Sequence, residues 1–165
     1  MTRFTFPLVL LAALAGTATG LHGQAQAADR NTAPSFTVRT FDGKTTRLSE
    51  LHGRPVVLDF WATWSRPCRV SMPDLNTMQE RYRGRGLVVF GLSIDEAEPL
   101  EVRNFTEKLG VRFRTGMADE RVLDDYGPIR SIPTTFFINR QGEIVRRVVG
   151  YIDAETFESY VREIL

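Results

Sequence analysis

Cys68 is the only cysteine in 165 residues, and it closes the segment Asp59-Phe60-Trp61-Ala62-Thr63-Trp64-Ser65-Arg66-Pro67-Cys68. A thiol does chemistry as its thiolate, either as a nucleophile or as one half of a disulfide. Ser65 is a preferred helix N-cap, because its oxygen accepts from the first free N–H groups. Cys68 then falls in the first helical turn, where the helix dipole and the charges of Arg66 and Arg69 favour a thiolate. Burial would oppose that ionisation. On spacing alone, a simple cap and a small core residue account for Ser65 and Cys68. A single cysteine excludes an internal disulfide and a Cys-rich zinc site.

The rest of the chain must position these groups. Its composition is 42% hydrophobic, 25% charged and 10% aromatic, which is ordinary for a globular domain. With 21 Lys and Arg against 20 Asp and Glu, the net charge is +1. No field of that size gathers nucleic acid or an anionic membrane surface.

Residues 1–27 read as a secretory signal: Arg3, a 12-residue apolar run from Phe4 to Ala15, and the cleavage pattern Ala25-Gln26-Ala27. The run is shorter than the ~20 residues of a membrane-spanning helix, so cleavage without stable membrane insertion is expected, with an uncleaved anchor as the alternative. Export to a periplasmic or other oxidising compartment follows, where disulfides persist. Residues 28–34 are a short polar lead, and residues 35–165 form a single domain.

Within it, Phe36–Thr40 and Thr45–Leu48 flank Asp42-Gly43, a hairpin turn. Val56–Phe60 reads as a buried strand and Leu87–Ile94 as another. Arg66–Arg83 reads as a helix with Val70, Leu75, Met78 and Tyr82 on one face and a kink at Pro73. Glu98–Leu109 is a second helix, with Phe105 and Leu109 on one face and Gly110 as its stop, and Arg121–Tyr126 a short third. Thr134–Ile138 and Ile144–Val149 are strands joined through Gln141-Gly142. Asp153 caps a final helix whose apolar face is Phe157, Tyr160, Val161, Ile164 and Leu165. This order predicts an α/β domain, a mixed central sheet covered by helices.

Phe60-Trp61-Ala62-Thr63-Trp64-Ser65-Arg66-Pro67-Cys68 resembles the active-site motif of thioredoxin-fold proteins, and in particular the exported TlpA/ResA-type thiol-disulfide oxidoreductases, which usually carry Trp-Cys-x-Pro-Cys. Met72-Pro73, Tyr126-Gly127, Ser131-Ile132-Pro133-Thr134-Thr135-Phe136-Phe137-Ile138 and Asn139-Arg140-Gln141-Gly142 continue the likeness across roughly Ala33 to Leu165. The resemblance implies a thioredoxin-like fold with an N-terminal β-hairpin and an extra strand and helix of the TlpA type. It also implies a redox protein without cofactor or metal. Its partners would be protein or small-molecule thiols and disulfides, in cytochrome maturation or envelope disulfide pathways. It aligns Asp59 with a buried acid that exchanges a proton with the second cysteine, and Pro133 with a cis-proline. It surrounds the site with Trp64, Arg66, Pro67 and Ile132, Trp64 shielding the Ser65–Cys68 face. Two departures stand out. Ser65 occupies the place of the attacking cysteine, and Ser71 that of an active-site glutamate found in several relatives. A serine hydroxyl neither attacks a disulfide nor resolves one at neutral pH without a base, so Cys68 must act as a single thiol.

Ser65-x-x-Cys68 also fits the minimal pattern of a thiol peroxidase, although the proline that precedes it in peroxiredoxins is here Trp61. A third reading is a non-catalytic peptide-binding or assembly module using the groove beside Pro133. Other signals carry less. Gly43-Lys44-Thr45 lacks the glycine of a phosphate loop, since Val38 stands there. Asp95, Glu96, Glu98 and Glu101 read as a solvated helix start. Arg81, Arg83 and Arg85 read as a solvated face. His52 sits in a turn with nothing to bring it to Ser65.

Overall fold

The computed structural model describes residues 31–165; the expected signal, residues 1–27, and the start of the lead lie outside the described residues. The chain opens with the expected hairpin, β1 (Thr37–Arg39) and β2 (Thr45–Arg47), paired antiparallel around Gly43 at φ +85°. Three strands, β3 (Val56–Trp61), β4 (Val88–Ser93) and β5 (Arg114–Met117), run parallel. Two more, β6 (Thr134–Ile138) and β7 (Ile144–Val149), are added antiparallel, giving the order β5-β4-β3-β6-β7. The helices are α1 (Arg66–Tyr82), α2 (Pro99–Lys108), α3 (Glu120–Tyr126) and α4 (Ala154–Ile164). The fold is a thioredoxin-like mixed sheet flanked by helices, as expected, with the β5–α3 pair inserted between α2 and β6.

β3 is central, and all six of its residues are buried. Its side chains alternate. Val57 and Trp61 join the core shared with α1, α2 and α4, while Val56, Leu58 and Phe60 join the core under the hairpin and α3. That parity sends Asp59 to the α1 side, the side of Cys68. The hairpin rests on the sheet through Thr40, which bridges Gly116 of β5. A Cβ at Gly116 would come within 2.7 Å of the Arg39 carbonyl, so only glycine allows this approach.

Several boundaries and faces differ from expectation. The buried face of α1 is Cys68, Met72, Leu75, Met78 and Tyr82, whereas Val70 is half exposed. Cys68 and Met72 set the helical phase, and Val70 lies off it. α1 also runs on through Pro73 as one helix. On α2 the buried residues are Val102 and Thr106, Phe105 stacks on Trp61 at 6.2 Å, and Leu109, the C-cap, is only partly covered. β5 is the extra strand that the resemblance implied, and no local pattern marks its place, because Arg-Thr-Gly-Met has no apolar alternation and becomes a strand only by pairing with β4. Asp153 does cap α4, accepting from the Thr156 N–H at 2.9 Å. Of the expected α4 face, Phe157, Val161 and Ile164 are buried, while Tyr160 and Leu165 lie at its edge.

Candidate functional site

The C-terminal end of β3 delivers the chain into a short loop, Ala62–Trp64, and then into α1. Ser65 caps the helix as expected: its hydroxyl accepts from the Cys68 N–H at 3.4 Å. Arg66 and Pro67 fill the first turn and are exposed. Cys68, one turn in, has no solvent exposure at all, and Ser65 itself is buried. Burial pushes the Cys68 thiol above its ordinary value. The Ser65 hydroxyl and the Ala62 backbone pull the other way, while the charge of Asp59 adds to the upward shift. The balance corrects the thiolate expectation. Arg66 points to solvent, and Arg69 turns its guanidinium to the Thr63 carbonyl at 2.8 Å, so neither offsets the loss of water around the sulfur.

Asp59 is 1% exposed. One carboxyl oxygen accepts from the Thr135 hydroxyl at 2.7 Å, and the other, Oδ2, has no partner. Burial raises its pKa to about 7, against the pull of Thr135. The sheet register explains the neighbours: Asp59 faces Thr135 and Phe60 faces Thr134, so Pro133 lies level with Trp61, where α1 begins. The Ile132–Pro133 peptide bond is cis, as the resemblance implied, and so is Gly127–Pro128. Ile132 is half-buried and packs against both cores. Trp64 is 67% exposed, a surface side chain rather than core packing.

The structure therefore gathers Ser65, Cys68, Asp59 and Pro133 at one end of β3, with Trp64, Arg66 and Pro67 outside them. His52 precedes β3 and so lies about 20 Å away along the strand, which removes a Ser/His/Asp arrangement among the described residues. Sequence reasoning missed Asp95. It is buried, not part of a solvated helix start, and accepts from the Thr63 N–H (2.9 Å), the Thr63 hydroxyl (2.6 Å) and the Ser93 hydroxyl (2.6 Å). It therefore fixes the loop that leads into α1. The available signal was topological: Asp95 follows β4, and the carboxyl ends of adjacent parallel strands converge. Ser71 donates to the Cys68 carbonyl at 2.9 Å, so its hydroxyl is spent within the helix.

Fold and site together define a thioredoxin-like redoxin with one thiol. Residues 30–147 match the model of the AhpC/TSA family, and the chain belongs to that family. It is similar to the thiol-disulfide oxidoreductase ResA of Bacillus thuringiensis (strain Al Hakam), 32% identical over 133 residues that cover 80% of this chain and 76% of the relative. ResA of Bacillus subtilis (strain 168) is 31% identical over 140 residues, covering 84% and 77%. Among solved structures, a thioredoxin-family thiol:disulfide interchange protein from Chlorobium tepidum TLS superposes with a TM-score of 0.76 at 29% identity, covering 83% of this chain and 97% of its own. The relatives are thiol-disulfide oxidoreductases, and the single cysteine fits a thiol-based redox role. Among the described residues no helix is long and apolar enough to cross a membrane.

Proposed function

We propose that this protein is an exported redox protein that exchanges disulfides through Cys68 alone. Cys68 passes its proton to Asp59, and the thiolate displaces one sulfur of a partner disulfide. A bond forms between Cys68 Sγ and one partner sulfur, the partner's S–S bond breaks, and the other sulfur leaves as a thiolate. A thiol from a second partner then attacks the mixed disulfide and releases Cys68, which recovers its proton. Trp64, Arg66, Pro67, Ile132 and Pro133 form the surface that receives the partner, and Ser65 holds the Cys68 turn in place. With the signal at residues 1–27 removed, the partners are exported thiols and disulfides, such as those of envelope disulfide or cytochrome maturation pathways.

The observation that carries this reading is the placing of the one thiol in the first turn of α1, beside a buried acid with an unpaired oxygen. The full burial of Cys68 favours a second reading, a binding module in which Trp64 and Pro133 receive an extended peptide and the thiol is structural. A peroxidase would need an accessible thiolate just as exchange does, and it has less support, because Trp61 stands where peroxiredoxins carry the proline of their motif.

Incubation of the folded protein with oxidised glutathione, followed by intact mass, decides between the first two. A glutathione adduct on the wild type, absent from Cys68→Ala, is the expected result. No adduct until the protein is unfolded would leave the binding module as the function, and Cys68→Ala would then retain peptide binding.

A further inference from the structure

The exchange reaction sends the Cys68 proton to Asp59, and Asp59 is itself cut off from solvent, so its proton needs an exit. A crevice beside the site offers one. It is walled by Asp59 of β3, Ser71 and Asp74 of α1, Pro133 just before β6, Thr135 of β6, and Tyr151 beyond β7. The unpartnered Oδ2 belongs to the innermost of these groups. Thr135 is committed to the other oxygen of Asp59, and Ser71 to the Cys68 carbonyl. Tyr151 is exposed, but a phenol takes up no proton at neutral pH. No Lys, Arg or His lines the crevice. That leaves Asp74, half-buried on α1 one turn beyond Ser71, as the one lining group that both meets solvent and can accept a proton.

We propose that Asp74 is the solvent-side acid–base group of the site, relaying protons between Asp59 and water during exchange at Cys68. It is a positioning residue in that it never touches the sulfur, and its role rests on the exchange reading above. In the forward step the proton leaves Cys68 for Asp59 and then passes through the crevice to Asp74 and solvent. When the mixed disulfide is resolved, the same path returns it. No oxidant beyond the partner disulfide is required. The charged neighbours suit the task. Partial burial and the nearby carboxylate of Asp153, the α4 cap, both raise the Asp74 pKa toward the range where it can give as well as take a proton. Asp153 itself is held ionised by the Thr156 N–H and hydroxyl.

The test is the pH profile of Cys68 exchange with oxidised glutathione, in the whole protein, for wild type, Asp74→Asn and Asp74→Glu. Asp74→Asn should slow exchange roughly tenfold near pH 7, less than the 10²–10⁴ of a group that transfers the proton directly. Asp74→Glu should restore the rate, and so should imidazole added to Asp74→Asn. An Asp74→Asn rate equal to or above that of the wild type overturns the relay, because removing a carboxylate charge alone would only ease ionisation of the thiol. A slowed rate that neither imidazole nor glutamate restores also overturns it, since that is the mark of a disturbed helix. A wild type that forms no adduct at all defeats the exchange reading. A wild type that exchanges normally beside an unaffected Asp74→Asn defeats the relay alone.

Discussion

Near the N-terminal end of α1, the Asp59 carboxyl has one donor, one unpaired oxygen and a pKa raised to about 7. At the C-terminal end, Glu158 of α4 accepts from the Tyr82 hydroxyl and the guanidiniums of Arg81 and Arg162, which together hold its pKa down to about 2. Two carboxylates beside the same helix are thus shifted in opposite directions. Every donor that Glu158 has, Asp59 lacks. A carboxyl left short of partners in a buried place is unfavourable for folding, and it is also what a proton-exchanging group requires. The far end of α1 is tied to α4 by an ion-pair network, while the near end is left underbonded around the one thiol.

The sharpest way to break this contrast is to remove the ionisable group at the near end. The folded pKa of Asp59 is about 7 against an ordinary 3.8, so the folded state binds the extra proton. Its contribution to stability is therefore neutral below about pH 4. It turns unfavourable as the pH rises, and it reaches its full cost of about 4 kcal/mol above about pH 7. Asp59→Asn cannot ionise, so this loss should vanish. Urea unfolding from pH 4 to 8 should show the wild type losing about 4 kcal/mol relative to the variant across that window. Parallel curves would mean that Asp59 is ionised in the folded protein and that the two ends are alike.

Asp95 tests whether the near end is rigid despite its unpaired groups. Asp95→Ala leaves the Thr63 N–H and hydroxyl without their acceptor, which should cost about 2–3 kcal/mol. The loop before Ser65 is then free to move, so alkylation of Cys68 should speed up while its unfolding midpoint falls. A destabilised variant with unchanged alkylation would show that Asp95 supports the sheet alone.

The frame that carries this contrast was legible in the sequence, whereas the contrast itself was not. The strand–helix order, the Ser65 and Asp153 caps and the β6–β7 hairpin follow from local patterns, and local patterns act within one element. Cys68 could be placed in a first helical turn because an N-cap fixes its own neighbours. The missing pieces all depend on contacts between distant segments. β5 needs β4 beside it, Asp95 needs Thr63, and Asp74 needs the crevice that β6 closes. The ionisation of Cys68 also turned on burial, which no spacing in Ser65-Arg66-Pro67-Cys68 encodes. The Glu158 network escaped notice because Arg81 and Arg162 look like solvated charges until α4 lies against α1.

Glu158→Gln should have the smallest effect, and it reads the opposite sign of the same linkage. The amide still accepts from Tyr82 but loses the charge that attracts Arg81 and Arg162. Because the folded pKa is depressed from 4.5 to about 2, the carboxylate's contribution is present above about pH 4.5 and is lost as the pH falls through about 2. The variant should therefore melt slightly below the wild type at pH 7, and the gap should close on acidification, where the Asp59 effect is also absent. Added salt should narrow the gap as well, since both arginines are well exposed and their attraction is screened. Salt should leave the Asp59→Asn difference almost untouched, because no mobile ion reaches a carboxyl that is 1% exposed. Equal salt sensitivity in the two variants would mean that water reaches both carboxyls, and the asymmetry between the ends of α1 would then lie in their hydrogen bonds alone.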